Sequence, residues 1–401
     1  MGLNVKNKKK IGLVLSGGGI KAAAFHIGVC LALKEKGFRF AGGTKTFVQK
    51  NYPDDDPMTI RLYVGSSAGS FITAILSAGY SLEALVNAFQ VGSGKKPVFD
   101  DHSLNTLRPL SYRNIFDINS KNIIKSIPLG LLNRSLVKGG IESLIKERFK
   151  LNGLFTTHKI EKYLSKYALS HNDFKSLGVG LYIIGSQLNH SRKVIFGDFN
   201  NSWKTERTKY INYATISQAV AASTALPPAF APYAIKNQDG KSIHYFDGEI
   251  RDTLSTHVAA DHGADLVIAS YSVQPYHYTP EIGSLSDFGI PVILNQALYQ
   301  VIQQKIDRHI THLSDLQAIY SSIEAYFKSH SLPPEHRDKI LGIIRDRVNF
   351  KPNVDYIYIH PRPQNYEMFF ADHFSLNPKI LESILKIGFK SAISALRAHN
   401  I

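Results

Sequence analysis

The chain has little cysteine, little charge of acidic sign and no long apolar run, and each shortage excludes something. A single cysteine, Cys30, in 401 residues leaves no intramolecular disulfide framework and no thiolate zinc site. It falls in the apolar pattern Phe25, Ile27, Val29, Leu31, Leu33, which predicts a buried helical thiol. No window approaches the ~18 uninterrupted apolar residues of a membrane-spanning helix. The N-terminal MGLNVKNKKK is basic, but the apolar stretch after it is broken by Ser16 to Gly19 and by Lys21, so no cleavable signal is expected. Gly2 opens like a myristoylation site, yet Lys6 stands where Ser or Thr is required. Asp and Glu number 32 against 47 Lys and Arg, giving a net charge of +15. That excess favours an anionic partner, a phospholipid surface or nucleic acid. Finger, RRM and homeodomain signatures are all missing, so no nucleic-acid partner is expected. What remains is a cytoplasmic or peripheral membrane protein, with export by a route lacking a cleaved signal left open. At 44% hydrophobic and 20% charged, its chain is suited to a large buried core.

What is present centres on Ile60 to Gly79, IRLYVGSSAGSFITAILSAG. Leu62, Tyr63 and Val64 form an apolar run into Gly65-Ser66-Ser67-Ala68-Gly69, and Phe71, Ile72, Ile75 and Leu76 follow at helical spacing. Strand, sharp turn and helix are the context in which G-x-S-x-G becomes a nucleophile elbow. A serine at such a turn has a strained backbone, so Gly65 and Gly69 are needed to remove clashes with strand and helix. With glycine and serine each at roughly 7% of residues, chance alone produces the pattern in about one chain of this length in seven. A glycine-rich structural turn is therefore the competing reading of the motif in isolation.

Upstream, Ile11 to Leu15 (IGLVL) reads as a buried strand and Ile20 to Lys36 as a helix ended by Gly37. Between them lies Ser16-Gly17-Gly18-Gly19-Ile20-Lys21-Ala22. Consecutive glycines let backbone N–H groups point outward, and a helix N-terminus adds partial positive charge, which makes an anion cradle. Gly17, Gly19 and Ala22 satisfy the dinucleotide pattern, but the FRFAGGTK stretch lacks its acidic residue. A P-loop is excluded because no Gly-Lys-Ser/Thr follows. An oxyanion hole remains as the functional reading, since its donors must be aimed in advance at developing charge.

GGG-x-K shortly before a strand carrying G-x-S-x-G resembles the patatin-like phospholipase family, which uses a Ser-Asp dyad. The resemblance implies an Asp-Gly pair downstream, behind a small-residue and proline-rich segment. Both are there: AVAASTALPPAFAPY over Ala219 to Tyr233, then His244-Tyr245-Phe246-Asp247-Gly248-Glu249. It further implies a three-layer α/β sandwich with a mostly parallel central sheet, Ser67 and Asp247 as the catalytic pair, and Gly17, Gly18 and Gly19 as the oxyanion hole. Lys21, Gly65, Gly69 and Gly248 support the motifs. The expected substrate is a phospholipid or related lipid ester at an anionic membrane surface, with no metal or other cofactor. Alternatives are a triacylglycerol lipase or transacylase of the same family, or a catalytically weak lipid-binding protein. A Ser-acid-His triad is the near competitor, with His257, His262, His309, His360 and His373 all after Asp247. Two positions depart from the family pattern. Ala22 stands where glycine is usual, and Glu249 where Gly or Ala is preferred. Glu249 either raises the pKa of Asp247 by like-charge repulsion or crowds the dyad.

Elsewhere, NYPDDDP (Asn51 to Pro57) lacks EF-hand spacing and reads as a solvated loop. Helices are expected at Leu82 to Gln90, Gly140 to Lys150 and Lys159 to Tyr167. The span Lys121 to Lys150 interleaves basic and aliphatic residues, as an interfacial segment or a cap helix would. Val179 to Leu188 and Arg192 to Phe196 read as a strand pair joined at Asn189-His190-Ser191. His257 and Asp261 share a helix face, but two ligands do not make a zinc site. Pro291 to Val348 is helical, Asp355 to His360 a last strand, and Asn377-Pro378 opens a final helix. The expected organisation is a catalytic core over 1–275, a helical elaboration over 276–354, and a terminal strand and helix over 355–401 packing back on the core.

Overall fold

Short apolar stretches bounded by glycine form strands buried on both faces. The computed structural model describes residues 3–90, 106–119 and 152–401. The basic-aliphatic span Lys121 to Lys150, and the helix expected at Gly140 to Lys150, lie outside them. Strands are β1 (Ile11–Leu15), β2 (Arg39–Phe40), β3 (Thr59–Ser66), β4 (Asp117–Ile118), β5 (Phe155–Thr156), β6 (Gly180–Gln187), β7 (Arg192–Phe196), β8 (Trp203–Lys204), β9 (Thr208–Ile211), β10 (Tyr233–Lys236), β11 (Ser242–Asp247), β12 (Leu266–Ser270) and β13 (Asp355–Ile359). Helices are α1 (Gly19–Glu35), α2 (Lys45–Asn51), α3 (Ala68–Ser77), α4 (Leu82–Ala88), α5 (Tyr112–Ile115), α6 (His158–Tyr163), α7 (Ile216–Ser223), α8 (Thr256–Asp261), α9 (Ile290–Ser329), α10 (Pro334–Val348), α11 (Glu367–Phe370) and α12 (Pro378–Ala398).

An eleven-stranded sheet runs in the order β13-β12-β1-β3-β6-β7-β9-β8, with β2, β10 and β11 attached off this path. Its centre, β13 to β6, is parallel throughout. Side chains alternate across β1: Leu13 and Leu15 enter the core shared with α1, α3 and α12, while Val14 enters the one shared with α8 and α9. Helices therefore cover both faces, and the fold is the expected three-layer α/β sandwich with a mostly parallel sheet and a helical C-terminal region.

The two longest core helices show why glycine recurs on them. A Cβ on Gly28 of α1 would lie 2.0 Å from Leu385 O, and one on Gly388 of α12 would lie 2.1 Å from Phe25 O. These glycines let α1 and α12 touch backbone to backbone. Asn377 caps α12 by accepting from the Lys379 N–H, and Leu381, Ile384, Gly388, Ala392 and Leu396 are buried while Lys379, Lys386, Lys390 and Arg397 face water. α9 behaves differently. At 40 residues it is about 60 Å long, yet only Tyr299, Ile306 and Leu316 are buried.

One detail of pairing positions the site. β3 pairs with the first half of β6 and ends with Ser66 opposite Ile184. β11 arrives antiparallel on the second half and ends with Asp247 opposite Gly185. Two strands far apart in sequence thus end at adjacent positions of β6.

Candidate active site

Ser67 follows directly on β3 and caps α3, with φ 49° and ψ −123°. This left-handed conformation is unusual for a residue with a Cβ, and the flanking glycines are what permit it. A Cβ on Gly65 would lie 2.2 Å from Thr73 Oγ1 and 2.5 Å from Ser70 Cα; one on Gly69 would lie 2.1 Å from Leu15 O. β1, β3 and α3 are packed as close as backbone allows. The Ser67 N–H donates to Ser223 Oγ at 2.8 Å, and Ser223 Oγ donates to Ile184 O at 2.5 Å. Ser223 comes from the small-residue segment AVAAS; its hydroxyl ties the elbow to β6.

Asp247 is only 1% exposed. Its N–H donates to Ala225 O at 3.1 Å, and its Oδ1 accepts from the Glu249 N–H at 2.9 Å. Burial raises its pKa to about 6, against the lowering effect of hydrogen bonds from the Ser67 side chain and the Glu249 N–H. A carboxylate with a pKa near the working pH, held against a serine hydroxyl, suits a general base. Gly248 lets the turn close, since a Cβ there would meet Ile184 O at 2.4 Å.

The glycine triplet lies against the same serine. A Cβ on Gly17 would fall 2.7 Å from Ser67 Cβ and 2.6 Å from Glu249 Cγ. Gly18 and Gly19 take φ of 130° and 75°, which favour glycine. The loop is strapped by its carbonyls: Ser272 Oγ donates to Gly17 O at 3.2 Å, and His373 Nδ1 lies 3.3 Å from Gly18 O. The Ile20 N–H donates to His373 O at 2.7 Å. Among the described residues the Gly18 and Gly19 N–H groups have no protein acceptor, whereas the Gly17 N–H donates to Glu249 Oε1 at 2.9 Å. So two donors of the triplet are free and the third is occupied.

Lys21 points away from this loop. Its Nζ donates to Met368 O at 2.7 Å and Ala371 O at 2.9 Å, and burial lowers its pKa to about 7. Lys21 thereby fastens α11 and the His373 loop over the start of α1. His26, buried behind the glycines, bridges Ser270 Oγ and Ser16 O at 2.9 Å each. Neither histidine contact, nor the strapping by Ser272 and Ser223, had a sequence signal beyond the small residues around Ser223.

The histidines offered for a triad lie elsewhere. His257 faces Asp252 and Lys193, His309 contacts Thr256 Oγ1, and His262 contacts Val258 O. His360 stacks on Tyr271. His373 touches the Gly18 carbonyl. Asp261 turns from His257 towards Lys351 and Asn349.

From Ser67 an open, narrow cleft extends between α1, α3 and the segment after α7. Its walls are apolar: Ile20, Ala23, Phe71, Phe89, Leu226, Phe230 and Phe374, with Thr224 the other polar side chain besides Ser67. A hydroxyl, a buried carboxylate, free N–H donors and a greasy slot are the parts of an acyl-transfer site for an apolar substrate.

The fold is a three-layer α/β sandwich with a mostly parallel sheet, and the site joins a hydroxyl and a buried carboxylate to an apolar cleft. A family model described as patatin-like phospholipase matches residues 13–260, and the chain belongs to that family. Its activity is accordingly that of a lipid acyl hydrolase in the general sense. Comparison with curated proteins found no match. No helix among the described residues is long and apolar enough to cross a membrane.

Proposed function

We propose that the protein is a phospholipase A-type acyl hydrolase that cleaves fatty-acyl esters of glycerophospholipids or related lipids through a Ser67-Asp247 dyad. The observation that carries this reading is the meeting of Ser67 with a buried Asp247 at the mouth of an apolar cleft. Ser67 Oγ attacks the ester carbonyl while its proton passes to Asp247. Charge on the carbonyl oxygen develops towards the free N–H groups of Gly18 and Gly19, within the triplet that begins at Gly17. The C–O bond then breaks, and Asp247 returns the proton to the departing alcohol. A water molecule, deprotonated by Asp247, attacks the acyl-Ser67 ester and releases the fatty acid. The acyl chain lies along Phe71, Leu226 and Phe230, and a lipid surface closes the open side of the cleft. Domains follow the same logic: 1–275 carries the chemistry, 276–354 elaborates it, and 355–401 returns Lys21's partners and His373 to the glycine loop.

A silent lipid-binding protein is favoured by one observation, the occupation of the Gly17 N–H by Glu249. A fluorophosphonate probe separates the two. Wild type should be labelled and should release fatty acid from mixed phospholipid vesicles, with both lost in Ser67→Ala. An unlabelled, inactive wild type would establish the binder.

A further inference from the structure

Glu249, directly after Asp247-Gly248, is neither exposed nor idle. It is 7% exposed and held at every polar backbone atom: its N–H donates to Asp247 Oδ1 and its C=O accepts from Thr253 Oγ1, both at 2.9 Å. Its side chain crosses beneath the elbow, so that Glu249 Cγ, Gly17 Cα and Ser67 Cβ form one contact with no room for a Cβ on residue 17. From there Oε1 takes the Gly17 N–H at 2.9 Å. On the other side of that residue, Ser272 holds its carbonyl. Both the N–H and the C=O of Gly17 are engaged, which restrains the peptides that carry the unpaired Gly18 and Gly19 N–H groups.

We propose that Glu249 is a positioning residue that clamps the glycine loop through the Gly17 N–H, the charge on its carboxyl setting how well that loop bears an oxyanion. This rests on the Ser67-Asp247 reading. The oxyanion carries negative charge a few atoms from the Glu249 carboxyl. A neutral carboxyl can accept the Gly17 N–H without opposing that charge, whereas a carboxylate opposes it and also discourages ionisation of Asp247. Burial, then repulsion from Asp247, raises the Glu249 pKa to about 8, so the neutral form is available where Asp247 is already ionised.

Other titratable groups around Glu249 are accounted for. Asp252, half-buried, is held below the usual carboxylate range by His257 and Lys193. Lys305 from α9 reaches the neighbouring Ile250 O. His26 and His373, behind and above the glycine loop, are lowered by burial to about 4 and are neutral above pH 6. Lys21, lowered by burial to about 7, loses its proton as the alkaline range begins.

The experiment is fatty-acid release from mixed phospholipid vesicles between pH 5 and pH 10 by wild type, Glu249→Ala and Glu249→Gln. Wild type should lose turnover above about pH 8. Glu249→Ala frees Gly17 and should lower kcat about 10- to 100-fold, with KM changed less than threefold. Glu249→Gln, which keeps an acceptor for the N–H, should recover at least tenfold of that loss and show no alkaline decline. An alanine variant with wild-type kcat, or a glutamine variant that still declines above pH 8, overturns the inference, the second outcome passing the limb to Lys21. If alanine prevents folding, judged by circular dichroism, the glutamine profile still decides. Turnover by Ser67→Ala would instead sink the dyad; inactive Ser67→Ala with ordinary Glu249 variants sinks only the clamp.

Discussion

Asp247→Asn should make the protein more stable and nearly inactive at the same time. The carboxyl is 1% exposed, and burial lifts its pKa from the ordinary 3.8 to about 6. For an acid, a raised folded-state pKa means that the native state binds the proton more tightly than the unfolded chain does. Stability attributable to this group therefore falls as pH rises from about 4 to about 6, and the deficit is fully present above that. At about 1.4 kcal/mol for each pH unit, the deficit at neutral pH is on the order of 3 kcal/mol. Asparagine removes it while keeping an oxygen for the Glu249 N–H. Urea unfolding at pH 5 and pH 7 is the assay. The variant should exceed wild type by about 2 to 3 kcal/mol at pH 7 and by clearly less at pH 5, with fatty-acid release reduced at least about 10³-fold. Glu249, whose raised pKa owes part of its shift to Asp247, loses stability over the same interval and is partly relieved in the variant, which adds to the gain at pH 7 in the same direction. Equal stability differences at the two pH values would refute the assignment of a buried, pKa-raised base. So would a variant that keeps substantial turnover.

Three further outcomes follow from the same geometry. Gly69→Ala places a Cβ 2.1 Å from Leu15 O; with backbone on the other side, it should cost about 3 kcal/mol or more in chemical unfolding and abolish labelling by the fluorophosphonate. Ser223→Ala leaves the Ser67 N–H and Ile184 O without their shared hydroxyl, and should cost about 1 to 3 kcal/mol with kcat falling about tenfold. Leu226→Trp fills part of the apolar cleft, so the ratio of turnover on palmitoyl to butyryl esters should fall about tenfold, with little change in melting temperature.

Strands and helices were legible because glycine and apolar spacing punctuate this chain sharply. IGLVL before a glycine triplet, and LYV before G-x-S-x-G, can only be buried strands that end in tight turns. The stretch from Pro291 was legible as helix for the complementary reason: its charged and amide residues leave a narrow apolar stripe. Less accessible were contacts made by residues without a local pattern. Ser272, His26 and His373 hold the glycine loop through single hydrogen bonds to its backbone or to the strand ends beneath it. Lys21 looked like part of the anion cradle, yet its long side chain reaches carbonyls contributed some 350 residues later.

By itself the sequence determined the parts: a strained serine turn made possible by Gly65 and Gly69, a glycine triplet opening a helix, and an aspartate at a strand tip. Spacing along the chain constrains local backbone, and each of these is a local requirement. Only the tertiary structure decided how they meet. β3 and β11 end at adjacent residues of β6, Ile184 and Gly185, and that shared strand brings Ser67 to an aspartate 180 positions away. Burial then changes what the carboxyls can do, raising Asp247 and Glu249 by removing water from both. Dielectric surroundings and the free or occupied state of each N–H exist only once the chain has folded, which is why Glu249 was visible as an anomaly but not as a contact to Gly17.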